Sequence, residues 1–260
     1  MTSDISYIGM ILGLLLMLLP LYFFFRFKTG QIISTLIATA RMVVQLFLIG
    51  LYLKYLFLWN NPFINILWVF IMVIVAAFTG VHRAHLRFKT MLIPLICGFF
   101  ASAFAVGMFF LVFVLQLRYP FDARYFVPIM GILMGNMLSV CVIGLTTFYD
   151  GLHREQGQYY YLLGNGASRI EAVTPFLRKA LDKSFAPCIA NMAVMGIVSL
   201  PGTMIGQILG GSAPGIAIKY QMMIIIINFA ASMLSLIITI KLSSKHTFDD
   251  FGVLKPVFKN

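Results

Sequence analysis

"MLIPLICGFFASAFAVGMFFLVFVLQL", residues 91–117, runs for 27 positions without a single charged side chain. Crossing a hydrocarbon core of about 30 Å takes about 20 mainly apolar residues, so this stretch alone is long enough for a transmembrane helix. Further runs near 6–25, 40–58, 63–80, 126–148, 184–208 and 216–241 also qualify. The whole chain agrees: 61% of its residues are hydrophobic, 10% are charged and its mean hydropathy is +0.96. A soluble domain carries about 25% charged residues. With 260 residues and no long polar segment, the expected architecture is all-α. It is a polytopic membrane bundle of about seven helices, a single transmembrane domain over 1–260.

The connections carry the orientation. Arg26 and Lys28, Arg83, Arg87 and Lys89, then Arg154, Arg169, Arg178, Lys179 and Lys183, and finally Lys241, Lys245, Lys255 and Lys259 fall on one side, against Arg118 and Arg124 on the other. By the positive-inside rule the N-terminus is expected outside and the C-terminal tail in the cytoplasm. The net charge of +11 is then a topology signal with an affinity for anionic lipid headgroups. It offers no basis for nucleic-acid binding, because no soluble basic module exists to carry it. "MTSDISY" has Asp4 and no basic start, so the first run reads as a retained span and not as a cleaved signal.

Catalytic constellations are missing. There is no H-E-x-x-H, no G-x-S-x-G and no G-x-x-x-x-G-K-[ST]. None of Asp4, Asp122, Asp150, Glu155, Glu171, Asp182, Asp249 and Asp250 lies deep in a span, whereas an ion-coupled carrier usually needs a carboxylate there. His82 and His85 are spaced for one helix face but lie among basic neighbours with no third ligand, and Cys97, Cys141 and Cys188 show no paired spacing. The sixteen methionines are scattered. No metal site is expected, and these residues read as solvated or packing groups.

Polar residues inside spans are the remaining candidates. Arg41, with Gln45 four residues on, is expected at the cytoplasmic edge of the second span, led in by an interfacial helix over "TGQIISTLIATA". Asn136, Gln207 and Gln221 are candidate path-lining or helix-bridging amides. "VSLPGTMIGQILGG", 198–211, places Pro201 and Gly202 within the sixth span, which is expected to kink or divide there. Gly202, Gly206 and Gly210 would form a small-residue stripe against which another helix packs, beside a moving joint.

The connection 149–183 is the most structured soluble feature. Gly164-Asn165-Gly166 signals a turn, and Ser168 with Glu171 forms an S-x-x-E capping box that starts a helix at Arg169. Pro175, capped by Thr174, is expected to begin yet another helix. The expectation is a short isolated helix over 168–174 that docks on something.

"PIMGILMGNMLSV" (128–140), "LGNGASRIEA" (163–172) and "GIVSLPGTMIGQILGGSAPGIAIKYQMM" (196–223), preceded by "ARMVVQLFLIGLYLKYLF" (40–57), resemble the FetB-like family of ABC transporter permeases. Bacterial members are described as iron exporters and plant relatives as membrane halves of aluminium-tolerance transporters. The resemblance implies a plasma-membrane permease subunit, not an enzyme, paired as a homodimer with a separate ABC-type ATP-binding subunit. It binds no cofactor itself; ATP and Mg belong to the partner. Gly166, Ala167, Ser168, Arg169, Glu171 and Ala172 then correspond to the coupling element. Tyr159, Tyr160 and Tyr161 stand where the family carries an acid, which makes the expected docking chemistry more aromatic than ionic. The alternative from the residues alone is a stand-alone channel or secondary carrier.

Overall fold

A computed structural model describes residues 6–249, 252–255, 257 and 258. Asp4, Asp250 and Lys259 lie outside the described residues. Within them the chain is helical: α1 (Tyr7–Leu15), α2 (Leu18–Arg26), α3 (Ile32–Trp59), α4 (Pro62–Arg83), α5 (Phe88–Phe109), α6 (Ala123–Arg154), α7 (Gln156–Gly164), α8 (Arg169–Val194), α9 (Gly202–Leu209) and α10 (Pro214–Thr247). A π-helical turn, Phe110–Val114, closes α5. Starts follow capping chemistry: the Asn61 side chain accepts from Phe63 N at 2.9 Å with Pro62 in the first turn of α4, and Asp122 accepts from Arg124 N at 3.0 Å to open α6.

Among the described residues six helical segments are long and apolar enough to cross a membrane, counting α1 and α2 together over Tyr7–Arg26. The fold is an all-α polytopic membrane bundle. Its core is α4, α5, α6 and α10, with α8 laid along α6. By contrast α1 and α2 bury no side chain, and α3 buries only Leu56, near its end, where Tyr52 stacks on Trp68 of α4 at 4.1 Å. The first two spans therefore present apolar faces outward. Arg41 and Gln45 are exposed on α3, and the stretch expected as a separate interfacial helix is simply its beginning.

Small residues do make the close approaches, although in other helices than the sequence suggested. Ser232, Ser235, Thr239, Ser243 and Thr247 form one buried stripe of α10. It meets α5 so closely that a methyl group on Gly98 would collide with Thr239 Oγ1 and approach the Ser235 carbonyl to 3.0 Å. A methyl on Gly144 of α6 would lie 2.6 Å from Leu236. Gly202 and Gly206 have nothing within 4 Å of a would-be Cβ, and Gly210 meets only the backbone of its own turn. The expected packing stripe on α9 is thus not used within this chain.

Of two expectations about prolines, one resolves to its second alternative and the other is corrected. The sixth span, 184–208, is not one helix: α8 ends at Val194, residues 195–201 are irregular, and α9 begins at Gly202 with Pro201 as its N-cap. Gly196, at φ +87°, makes the turn, its N–H donating to the Ser199 carbonyl at 2.9 Å. The span is therefore divided at this point, as one of the two expected outcomes, with Pro201 starting the second helix and not kinking a continuous one. Nor does a separate short helix exist over 168–174, because α8 runs through both Pro175 and Pro187. An interior proline costs about 3 kcal/mol. Here Ala172, Phe176, Ala180 and Ser184, spaced by four, bury one face of α8 in contact with α6, and that packing outweighs the local penalty. Thr174, expected as a cap, donates instead to the Ile170 carbonyl at 2.7 Å.

One end of the bundle gathers the basic connections. Arg87 N donates to the Val257 carbonyl at 2.8 Å and Arg87 Nε to that of Phe258 at 3.0 Å, tying the α4–α5 connection to the C-terminal tail. Tyr159 OH donates to Gly252 O at 2.8 Å. At the opposite end Asn60 Oδ1 accepts from Ala123 N at 2.9 Å and Asn65 Nδ2 donates to Phe121 O at 2.8 Å.

Candidate transport cleft and coupling corner

Because α8 stops at Val194 and α9 is short, the wall between α6 and α10 is left open. The resulting cleft has an inner cavity of about 280 Å³, lined by Asn136 of α6, Asn191 of α8, Thr203 of α9, and Gln221, Asn228 and Ser232 of α10. Cys188, Met192 and Met195 complete one side. Thr203 Oγ1 donates to Gln221 Oε1, which bridges α9 to α10. Asn136 Nδ2 donates to the Ile132 carbonyl at 3.0 Å, leaving its amide oxygen open to the cavity, while Asn228 Oδ1 is buried with no hydrogen-bond partner.

An outer cavity of about 590 Å³ holds Gly206 and Gln207 together with Arg124, Tyr125, Ser212 and Tyr220. Pro201 lines an apolar recess on the other flank of the break. Of the path or hinge residues expected from sequence, Asn136, Gln221, Gln207, Gly206 and Pro201 are brought to this one region. Gly202 and Gly210 belong to α9 and its end without lining the two polar cavities, and Arg41 and Gln45 lie away from it on α3. Asn191, Thr203 and Asn228 were missed. Asn191 in "IANMAV" and Asn228 in "IIIINFAA" carried the same signal as Asn136, an amide in an apolar run that needs a partner or water. Among the described residues no group of three or more His, Cys, Asp or Glu is placed to hold a metal ion.

The second feature is the corner between α7 and α8. Helix α7 ends in a Schellman turn: Ala167 N donates to Leu162 O at 3.1 Å and Gly166 N to Leu163 O at 3.0 Å, with Gly166 at φ +87°. The capping box then forms in full, Ser168 N and Oγ donating to Glu171 Oε2 at 2.7 and 2.8 Å and Glu171 N donating back to Ser168 Oγ at 3.4 Å. The Ser168 hydroxyl, and secondarily its amide, hold the Glu171 carboxyl below the ordinary carboxylate range. Gly166, Ser168, Ile170 and Glu171 are exposed, Ile170 at 78% and the neighbouring Tyr161 at 70%. Ala172 points inward and is fully buried, and Arg169 is turned to the tail, donating to Ser244 O and stacking on Phe248. Tyr159 is likewise committed to the tail, which leaves Tyr160 and Tyr161 as the open aromatics.

A polytopic helical bundle with a polar cleft between its helices and a capped corner at its basic end defines the chain as a multi-pass membrane protein. The chain belongs to the uncharacterised protein family UPF0014, whose model matches residues 7–248. It is 29% identical to the UPF0014 membrane protein YjkA of Bacillus subtilis (strain 168) over 234 residues, 90% of this chain and 92% of that one. It is 26% identical to the probable iron export permease protein FetB of Escherichia coli (strain K12) over 95% of this chain and 94% of that one. The Arabidopsis thaliana protein ALUMINUM SENSITIVE 3 is 30% identical over 76% of this chain and 71% of its own length. No solved structure matches.

Proposed function

We propose that the chain is the membrane-spanning subunit of an ATP-driven transporter in the plasma membrane, with its substrate path in the cleft between α6, α8, α9 and α10. The supporting observation is the break at 195–201, which opens a groove lined by Asn136, Asn191, Thr203, Gln221 and Asn228 within apolar helices. Polar groups and irregular backbone at membrane depth are tolerated where they line a water-filled cavity. The name of FetB suggests iron export, and a metal ion or metal-related solute is the cargo proposed here.

A separate ABC-type ATP-binding subunit supplies the energy, binding ATP and Mg itself, in an assembly with two copies of this chain. The basic end carrying the tail faces the cytoplasm and the N-terminus lies outside. The subunit docks at the α7–α8 corner, on Gly166, Ser168, Ile170 and Glu171. Helix α8 then acts as a lever. Its 26 residues span about 39 Å. One unbroken helix thereby joins the docking corner at its start to Asn191 and the break at its end, and rigid-body motion of the docked subunit reaches the cleft directly.

Gly166→Val forces a β-branched residue to φ +87°, a strain of about 1–3 kcal/mol. Glu171→Lys dismantles the capping box. Both variants are expected to insert in the membrane and to lose association with the ATP-binding subunit; unchanged co-purification would refute this docking site.

A further inference from the structure

The inner and outer cavities share Ile132, Thr203 and Ile224, so they form one continuous groove. Their volumes are of the order of small-molecule sites, about 300–1,000 Å³. Among the described residues the wall carries no negative charge. Its polar side chains are amides, hydroxyls, a thiol and the Arg124 guanidinium; no carboxylate and no imidazole lines it. Apart from the thiol each of these groups donates strong hydrogen bonds, the amides and hydroxyls accepting as well, and the only formal charge is positive.

Arg124 occupies the first turn of α6 and lines the outer cavity. The nearest acid in sequence, Asp122, is turned to the backbone, accepting from Arg124 N at 3.0 Å, and lines a different cavity with Asn60 and Tyr119. Among the described residues the two ion pairs are Arg154–Asp150 and Lys179–Glu155, both remote from the cleft. Among the described residues the Arg124 guanidinium thus forms no ion pair, and the residue lines the groove. A bare divalent cation would trade its hydration shell for neutral amides and meet like charge at one end. An anion with several oxygens meets N–H and O–H donors along both cavities, and the Asn136 amide, which lines the inner one with its Nδ2 donating to the Ile132 carbonyl, accepts through its oxygen from a hydroxyl on it.

Resting on the cleft being the substrate path, we infer that the solute it recognises is a small hydroxycarboxylate-type anion, free or as its metal chelate, and not an uncomplexed metal cation. Arg124 and Asn136 are twelve residues apart on α6, about 18 Å. The anion meets the two in turn, a carboxylate paired by Arg124 at the outer cavity and its oxygens held by the amides in the inner one.

The test uses the chain reconstituted in proteoliposomes with its ATP-binding subunit, with ATP hydrolysis read against citrate, ferric citrate and chelator-free ferrous ion under anaerobic conditions. Saturable stimulation by citrate or ferric citrate and none by ferrous ion is expected, and the two anions distinguish free carboxylate from chelate. Arg124→Gln should raise the half-saturating concentration at least tenfold, Arg124→Lys should restore part of it, and Arg118→Gln should leave it unchanged. Stimulation by ferrous ion alone, a flat response to both anions, or an equal shift in Arg118→Gln would overturn the inference. A complex that hydrolyses ATP yet ignores both anions removes this inference and leaves the transporter assignment standing; failure of any complex to form removes the latter. In that event equilibrium dialysis of labelled citrate against the purified chain still decides, since absence of binding overturns the inference and Arg124-dependent binding supports it.

Discussion

The guanidinium of Arg169 lies 4.4 Å above the centre of the Phe248 ring while donating to the Ser244 carbonyl, so the first residue of α8 is fastened to the end of α10 and the tail. The cation–π contact is worth ~1 kcal/mol. Arg169→Ala is expected to raise opening of the tail about fivefold, read as faster limited proteolysis within 248–258. Arg169→Lys, which keeps the charge but not the planar stack, should fall between.

The capping box predicts a pH dependence. Glu171 is held below its usual titration range by Ser168, so its contribution to the start of α8 is fully present above the unfolded carboxylate value and is lost as pH falls through the lowered one. Amide protection at Ser168–Ala172, measured relative to the unstructured chain at the same pH, should hold at neutral and mildly acidic pH and fall only below the ordinary glutamate range. Glu171→Gln should flatten that dependence.

The α5–α10 seam predicts a packing defect. Gly98→Ala places a methyl group against Thr239 and the Ser235 backbone, a collision that no flexible side chain tip can relieve. A destabilisation of about 1–3 kcal/mol is expected, measured as a lowered thermal midpoint in detergent. Gly206→Ala, with open space around it, should be close to neutral.

The native cysteines report on the cleft. Cys188 lines the inner cavity, Cys141 is buried beside Ser235 at 3.4 Å, and Cys97 is exposed on the apolar surface of α5. A charged, membrane-impermeant thiol reagent is expected to modify Cys188 and spare the other two, because the thiolate needs water. Modification of Cys97 alone would contradict the assignment of lipid and water faces.

The sequence made the helical class and the spans legible because uncharged runs such as 91–117 leave no alternative in a bilayer. It also made the α7–α8 corner legible, since Gly166, Ser168 and Glu171 act locally. What it hid was tertiary. Pro175 reads as a breaker until the buried face of Ala172, Phe176 and Ala180 is seen against α6, and Gly202, Gly206 and Gly210 read as a seam although Gly98 and Thr239 make it. The cleft was half legible: Asn136 and Gln221 stood out, but Asn191 and Asn228 joined them only once α8 ended at Val194.

Energy coupling is the central claim, and flux decides it. Proteoliposomes holding the chain with its ATP-binding subunit should move labelled solute only with ATP and magnesium, and a partner disabled in hydrolysis should abolish that movement. Equal transport with the disabled partner, or with the chain alone, would contradict the account and favour a channel or carrier.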